Sequence, residues 1–235
     1  MRFAYALTAL LLLASCACAD DIVTMPTANQ LKAGEVDVAV YYLGLDFPEG
    51  APQHVNYQTL YVGLTDMVEL DVHRADVDKG KTSTVLVGSF KLLSETATVP
   101  DLVVGIRNIG GTATTDDNPL TGIDERAKSK KRSYFLSGAK TFFLNPAAPG
   151  PPLVRVHLSI GSEDWTLLNE KRHDGLFGGL QFLFRPEVGA VVQHDGQDLI
   201  TGITFMPRNT GLTIKGGTYG DHWWAGIAYR TKLNW

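Results

Sequence analysis

The run Trp223-Trp-Ala-Gly-Ile-Ala-Tyr-Arg-Thr-Lys-Leu-Asn-Trp235 decides the fold. Side chains alternate across a β-strand, so Ala225, Ile227, Tyr229, Thr231, Leu233 and Trp235 share one face and Gly226, Ala228, Arg230, Lys232 and Asn234 the other. The first face suits hydrocarbon. The second, polar or small throughout, suits water, and the two together are what a strand of a transmembrane barrel requires.

The same period of two recurs upstream. Val36, Val38, Val40 and Tyr42 oppose Glu35, Asp37, Ala39 and Tyr41, and Val68, Leu70 and Val72 oppose Glu69, Asp71 and His73, with Thr65-Asp66 as a tight turn between strands. Segments near the roughly 9–11 residues that cross a bilayer fall at 35–45, 55–64, 67–75, 83–93, 102–110, 132–143, 153–161, 175–184, 187–194, 199–206, 212–219 and 223–235. The expected fold is all-β, an antiparallel transmembrane barrel of about twelve strands, with ten to fourteen as the range. An even count places both barrel ends on one side, the periplasm. The outer connections then fall at 46–54, 76–82, 111–131, 162–174, 195–198 and 220–222, and the inner ones, generally shorter, at 65–66, 94–101, 144–152, 185–186 and 207–211.

Met1-Arg2 followed by the apolar run Ala6–Ala14 reads as a signal peptide over residues 1–19, too short to span a bilayer as a helix. Leu13-Ala14-Ser15-Cys16 fits a lipobox with Cys16 acylated, while Ala17-Cys18-Ala19 fits ordinary signal cleavage. Residues 20–34 then form a periplasmic N-terminal segment and 35–235 the barrel. Both cysteines lie at the signal boundary, so the folded body holds no disulfide.

Composition separates classes poorly. With 44% hydrophobic residues, 20% charged and a net charge of −4, the chain would suit a soluble protein equally, and the mean hydropathy of −0.01 is what alternating faces average to. The 24 glycines and 11 prolines favour many turns over long helices. Mild acidity and export argue against a nucleic-acid partner.

A closing strand with a terminal aromatic, here Tyr229, Leu233 and Trp235, resembles the C-terminal signal read by the assembly machinery of bacterial outer-membrane barrels. Further motifs carry a second resemblance: Met25-Pro-Thr-Ala28, Gly63-Leu-Thr-Asp66, Leu102-Val-Val-Gly-Ile-Arg-Asn-Ile-Gly-Gly-Thr112, Gly175-Leu-Phe-Gly-Gly-Leu180, Val191-Val-Gln-His-Asp-Gly-Gln-Asp198, Gly202-Ile-Thr-Phe205 and Gly226-Ile-Ala-Tyr-Arg230. In order and spacing these resemble the YjbH family of outer-membrane barrels associated with exopolysaccharide production, whose large members are much longer. The resemblance implies an outer-membrane barrel, often a lipoprotein, linked to polysaccharide export or surface assembly, with no catalytic residues to carry over.

No catalytic constellation stands out. Asp71 and His73 share a strand face and His194-Asp195 sits at a hairpin tip, but no serine occupies a Gly-x-Ser-x-Gly elbow and no His-Glu-x-x-His motif is present. Asp116-Asp117-Asn118 and Asp195-Gly196-Gln197-Asp198 lack the spacing of a calcium loop and read as turns. Neither a metal nor a cofactor is expected. Lys128, Lys130, Lys131 and Arg132, leading out of a long outer loop, are candidate contacts to lipopolysaccharide phosphates, each worth on the order of 1 kcal/mol near an anionic surface.

Tyr41, Tyr42, Tyr57, Tyr61, Phe142, Phe143, Trp223 and Trp224 fall near strand ends, as interfacial girdles would. Inward positions are assigned to Glu35, Asp37, Glu69, Asp71, His73, Arg107, Arg185, Glu187, Gln193, Arg230 and Lys232, a mixture of signs that suits a plug or a conduit. The expected protein is thus a non-enzymatic, porin-like outer-membrane barrel of a Gram-negative-type bacterium, partnered by lipid, lipopolysaccharide, the barrel-assembly machinery and a polysaccharide. The alternative is a secreted or lipid-anchored soluble β-sandwich that binds a ligand.

Overall fold

The computed structural model describes residues 26–46, 52–77, 81–110, 132–145, 150–162 and 172–233. Twelve strands follow one another: β1 (Glu35–Asp46), β2 (Pro52–Gly63), β3 (Val68–Val77), β4 (Lys81–Leu93), β5 (Asp101–Arg107), β6 (Ser133–Phe143), β7 (Leu153–Gly161), β8 (Gly175–Arg185), β9 (Val188–His194), β10 (Leu199–Phe205), β11 (Leu212–Tyr219) and β12 (His222–Lys232). Each pairs antiparallel with its neighbours in sequence, and β1 pairs with β12 from Glu35 opposite Lys232 to Leu43 opposite Trp224. The result is one closed cylinder. A single sheet that returns on itself excludes the β-sandwich, and it leaves no strand edge unpaired.

Period-two patterning fixes which face of each strand turns in. Asp37, Ala39, Tyr41 and Leu43 of β1 are buried while Val38 and Val40 between them are exposed, and Glu69, Asp71, His73 and Ala75 of β3 alternate with exposed Val72 in the same way. A register slip of one residue would carry every carboxylate to the outside, so the pattern and the pairing specify each other. Most outward positions around the cylinder are aliphatic or aromatic: Val40, Leu86, Val104, Leu136, Leu158, Leu176, Ile203, Ile214 and Ile227 all stand exposed, Ile203 at 65%, with Arg74 and Asp76 of β3 a charged exception.

The interior is crowded. Large aromatics occupy it where the facing wall position is glycine. A Cβ on Gly105 would lie 2.1 Å from the Phe135 ring, one on Gly226 2.1 Å from Tyr41, and one on Gly202 2.5 Å from Trp224. Tyr41, Tyr57, Tyr61 and Trp224 are therefore inside the barrel, which corrects the expectation that they belong to an outer aromatic girdle. The physical reason is parity: Tyr41 shares the face of Asp37, and Trp224 the face of Gly226. Tyr42 and Trp223 do face out and stack on each other, ring centroids 4.8 Å apart, and Phe142 is exposed.

The turns between strands lie at two ends. At the end where β1 begins and β12 finishes, Thr65 Oγ1 accepts hydrogen bonds from the amides of Met67 and Val68 at 3.1 and 3.0 Å, a local side-chain turn as the sequence suggests. At the other end Asp195 Oδ1 accepts from the amides of Gln197 and Asp198, and Gly196 supplies the positive φ, so 195–198 is a turn. We call these the Gly34 end and the Asp195 end.

Candidate functional site

Among the described residues the buried polar and charged side chains gather in the lumen, in three groups that run from one end to the other. The first lies at the Gly34 end. There the chain turns inward before β1, and residues 26–31 run inside the cylinder rather than leading up to it from outside, with Ala28 and Leu31 fully buried. The Leu31 amide donates to Glu69 Oε2 at 2.6 Å and Gln30 Nε2 to Ser89 Oγ at 2.6 Å. The Ser137 and Ser159 hydroxyls, 2.8 Å apart, both donate toward the Pro26 carbonyl.

Beside this segment Arg155 of β7 organises a charged cluster. Its Nη1 lies 2.5 Å from Glu95, its Nη2 2.5 Å from Asp101, and its Nε donates to Asn29 Oδ1 at 2.7 Å. Glu95 belongs to the β4–β5 connection. Burial works to raise its carboxyl pKa, but the Thr141 amide and hydroxyl and the Arg155 charge outweigh that and hold it below the usual carboxylate range. Two carboxylates on one guanidinium, with its remaining donor taken by an amide, form a fully bonded network of the kind that is costly to break in part.

The second group lines the middle of the wall. The Tyr57 hydroxyl lies 2.6 Å from His73 Nδ1, and the His73 ring meets Tyr61 edge-on at 5.3 Å. Asp37 takes both Nε and Nη2 of Arg230 at 3.0 Å across the β1–β12 seam, where the two residues are directly opposite. A cavity of about 20 Å³ remains among Thr27, Asn29, Tyr61, Asp71, His73, Arg107 and Phe135, room for about one water molecule.

The third group closes the Asp195 end from the β8–β11 side. Arg172 and His173, just before β8, fold back over the lumen and are buried. Arg172 Nη1 donates to Asp195 Oδ2 at 2.7 Å and to the Tyr219 hydroxyl at 2.6 Å, its Nη2 lies 2.8 Å from Asp198, and Tyr219 donates to the same Asp195 oxygen. The guanidinium also sits 5.0 Å over the Tyr219 ring. The His173 amide donates to the Asp195 carbonyl at 2.7 Å, and Arg107 Nη1 donates to His173 Nδ1 at 3.1 Å. Burial alone would raise the Asp195 carboxyl, but the adjacent Arg172 charge, His173 and the turn amides bring it down to about 2.

Of the residues assigned inward from the sequence, Asp37, Glu69, Asp71, His73, Arg107 and Gln193 are buried in the lumen, Glu35 and Arg230 are half-buried, and Glu187 sits at a turn. Arg185 is exposed instead, because the register shifts between Leu183 and Arg185 and the bulge breaks the alternation. Lys232 is exposed at the rim. Asp71 and His73 share a face as read, with His73 engaged by two tyrosines.

Tyr229 and Leu233 face outward on and just beyond β12, and Trp235 lies outside the described residues. Cys16, Lys128, Lys130, Lys131 and Asp116–Asn118 also lie outside them, while Arg132 is exposed and donates to the Ile109 carbonyl at 3.1 Å. Among the described residues no group of three or more His, Cys, Asp and Glu is placed to hold a metal ion. The inward segment 26–31 and the Arg172–Asp195 cap were invisible to sequence reasoning, since both join residues remote in the chain and neither follows a strand period.

No family model matches the chain, and no curated protein matches it. Among solved structures, a KdgM porin is similar over 85% of this chain and 99% of its own, at 10% identity and a TM-score of 0.48. An outer membrane channel from Pseudomonas putida F1 is similar over 89% and 100%, at 11% identity and a TM-score of 0.44. The N-terminal β-barrel domain of OprF from Pseudomonas aeruginosa is similar over 86% and 100%, at 10% identity and a TM-score of 0.27. Closure of the barrel rests on this chain's own strand pairing, each strand joined to the next from β1 to β12 and β12 back to β1.

Proposed function

We propose that this chain is a non-enzymatic outer-membrane barrel of a Gram-negative-type bacterium that serves transport or surface assembly. One observation carries the reading: a single closed sheet turns aliphatic and aromatic side chains outward on strand after strand and buries Asp37, Glu69, Asp71, His73, Arg107, Arg155 and His157 within. In hydrocarbon every backbone N–H and C=O needs an internal partner, which a closed cylinder provides and an open sheet does not. In water the same exterior would be a continuous apolar belt, far larger than soluble monomers expose.

Heat-modifiability on a gel tests this. Unboiled protein from isolated outer membranes is expected to migrate apart from boiled protein; no shift, with soluble protein released once residues 1–19 are removed, would sink the membrane reading. The resemblance to YjbH-like barrels supports a link to exopolysaccharide, tested by whether a strain lacking the chain secretes less of it. Lipidation at Cys16 is tested by incorporation of labelled palmitate and its loss in Cys16→Ala. Contacts to lipopolysaccharide by Lys128, Lys130, Lys131 and Arg132 are tested by replacing all four with glutamate. Unchanged lipopolysaccharide binding would make the run a solvated loop.

A further inference from the structure

Residues 26–31 are held inside the cylinder in a way that differs from every strand of its wall. Their partners are side chains spread over four strands: Glu69 on β3, Ser89 on β4, Ser137 on β6, and Arg155 and Ser159 on β7. The segment joins β1 through Gly34, whose φ of +79° only glycine adopts freely. It crosses the rim against Gly63, where a Cβ would come within 2.1 Å of the Lys32 carbonyl oxygen. The aliphatic side chains it buries are few, chiefly Ala28 and Leu31, and the 20 Å³ cavity separates part of it from Tyr61, His73 and Arg107.

A segment seated by apolar packing would leave a dry, unstable wall behind. Here the wall side chains that hydrogen-bond the segment are hydroxyls, a carboxylate and a guanidinium, which water satisfies in its place, and apolar packing is limited chiefly to Ala28 and Leu31. From this geometry we infer that residues 26–31 are a displaceable plug, hinged at Gly34, and that withdrawing it opens the Gly34 end of a narrow path for small hydrophilic solutes, which leaves the lumen past the Arg172–Asp195 cap on the side away from β8–β11. The inference rests on the membrane-barrel reading above and deepens its transport arm. Glu69 and the cluster of Arg155 with Glu95 and Asp101 then border the path, so it favours small polar solutes over apolar ones.

The test is single-channel recording of the full chain in planar bilayers with potassium chloride, on protein first shown to be heat-modifiable. Gln30→Cys with Ser89→Cys, in a chain whose Cys16 and Cys18 are serine, is joined through a short bis-methanethiosulfonate linker that spans the reach lost with the Gln30 amide, giving a reducible cross-link across the present 2.6 Å contact, the oxidised form. The oxidised form is expected to stay closed, and reduction to raise the open fraction at least tenfold. A second variant lacking residues 26–31 is expected to conduct steadily. Equal currents in oxidised and reduced forms overturn the plug, and so does a deletion variant that keeps its heat shift yet carries no more current than the parent. Should the deletion variant fail to fold, the cross-linked pair decides alone. Loss of the heat shift in the parent itself would be a failure of the barrel reading, and the plug would fall with it.

Discussion

Tyr41 and Lys215 meet across an intervening strand. Lys215 Nζ of β11 donates to the Tyr41 hydroxyl of β1 at 3.4 Å and lies 5.8 Å from the centre of its ring. Between them stands Gly226 of β12, directly opposite both residues in the two registers. The absence of a side chain there lets the tyrosine lie over the wall and reach the lysine.

Gly226→Val therefore drives a branched side chain into the Tyr41 ring. The expected loss is about 1–3 kcal/mol, the usual cost of overpacking, read as a lower temperature for half-conversion between the unboiled and boiled gel forms. Tyr41→Ala should recover part of that loss when combined with Gly226→Val, since the two changes share one space. Purely additive losses would show that the ring is not what fills the glycine's place.

Arg155 bonds Glu95, Asp101, Thr141 and Asn29 at once. Arg155→Leu takes the guanidinium from both carboxylates, leaving Lys140 3.5 Å from Glu95 as the remaining cation, and a loss of about 3–5 kcal/mol is expected. Glu95 has a depressed pKa, so its share of the stability is present above the ordinary carboxylate range and disappears as pH falls through its folded value. In Arg155→Leu that acid dependence should shrink without vanishing, since the Thr141 amide and hydroxyl still favour the Glu95 carboxylate, so the variant loses more at pH 7 than at pH 4. Denaturant titrations at pH 4 and pH 7 check this; a parallel loss at both pH values would contradict it.

Asp195 gives the Asp195 end its own pH window. Its carboxyl, held at about 2 against an ordinary 3.8, contributes stability that is complete above about pH 5 and is lost as pH falls through 3.8 toward 2. The amount is on the order of 2 kcal/mol. Asp195→Asn should remove that slope and lower the midpoint of thermal conversion at pH 7. A wild-type curve flat between pH 5 and pH 2 would mean that the Arg172 pair adds nothing.

Ile203 and Thr204 are neighbours on β10 that face opposite ways, the first 65% exposed and the second buried in the lumen. Ile203→Lys should cost about 2–4 kcal/mol if this face meets hydrocarbon near the bilayer middle, and should reduce the amount recovered in the outer membrane. Thr204→Ser should be nearly silent in the same assay. Ile203→Lys without effect, in lipid as in detergent, would argue that this face is not embedded.

Much of the cylinder can be read from the chain because strand patterning is local. Leu153–Gly161 and Leu212–Tyr219 are strands over the spans that their alternation predicts, and the other ten differ at their ends by up to three residues. Period two also assigns Asp37, Glu69 and Arg107 inward with no knowledge of their partners. The failures have a common cause. Trp224, inside by parity, has room for its ring only because Gly202 two strands away has no side chain; Arg185 faces out because of a bulge; Arg172 and residues 26–31 enter the lumen through contacts with residues 23 to 133 positions distant. None of these is a property of a short window.

The seam between β1 and β12 bears on how the chain comes to be folded. Every other pairing joins strands adjacent in sequence and can form as a hairpin, but this one joins Glu35 to Lys232 and forms only when nearly the whole chain has been laid down. Its loop-closure entropy is met last, which makes it the slow step expected for a sheet dominated by one distant contact. Until then the first and last strands both present open edges, each a template for a neighbouring molecule. The time before the final strand arrives is thus when this protein is most exposed to joining another copy of itself instead of its own beginning.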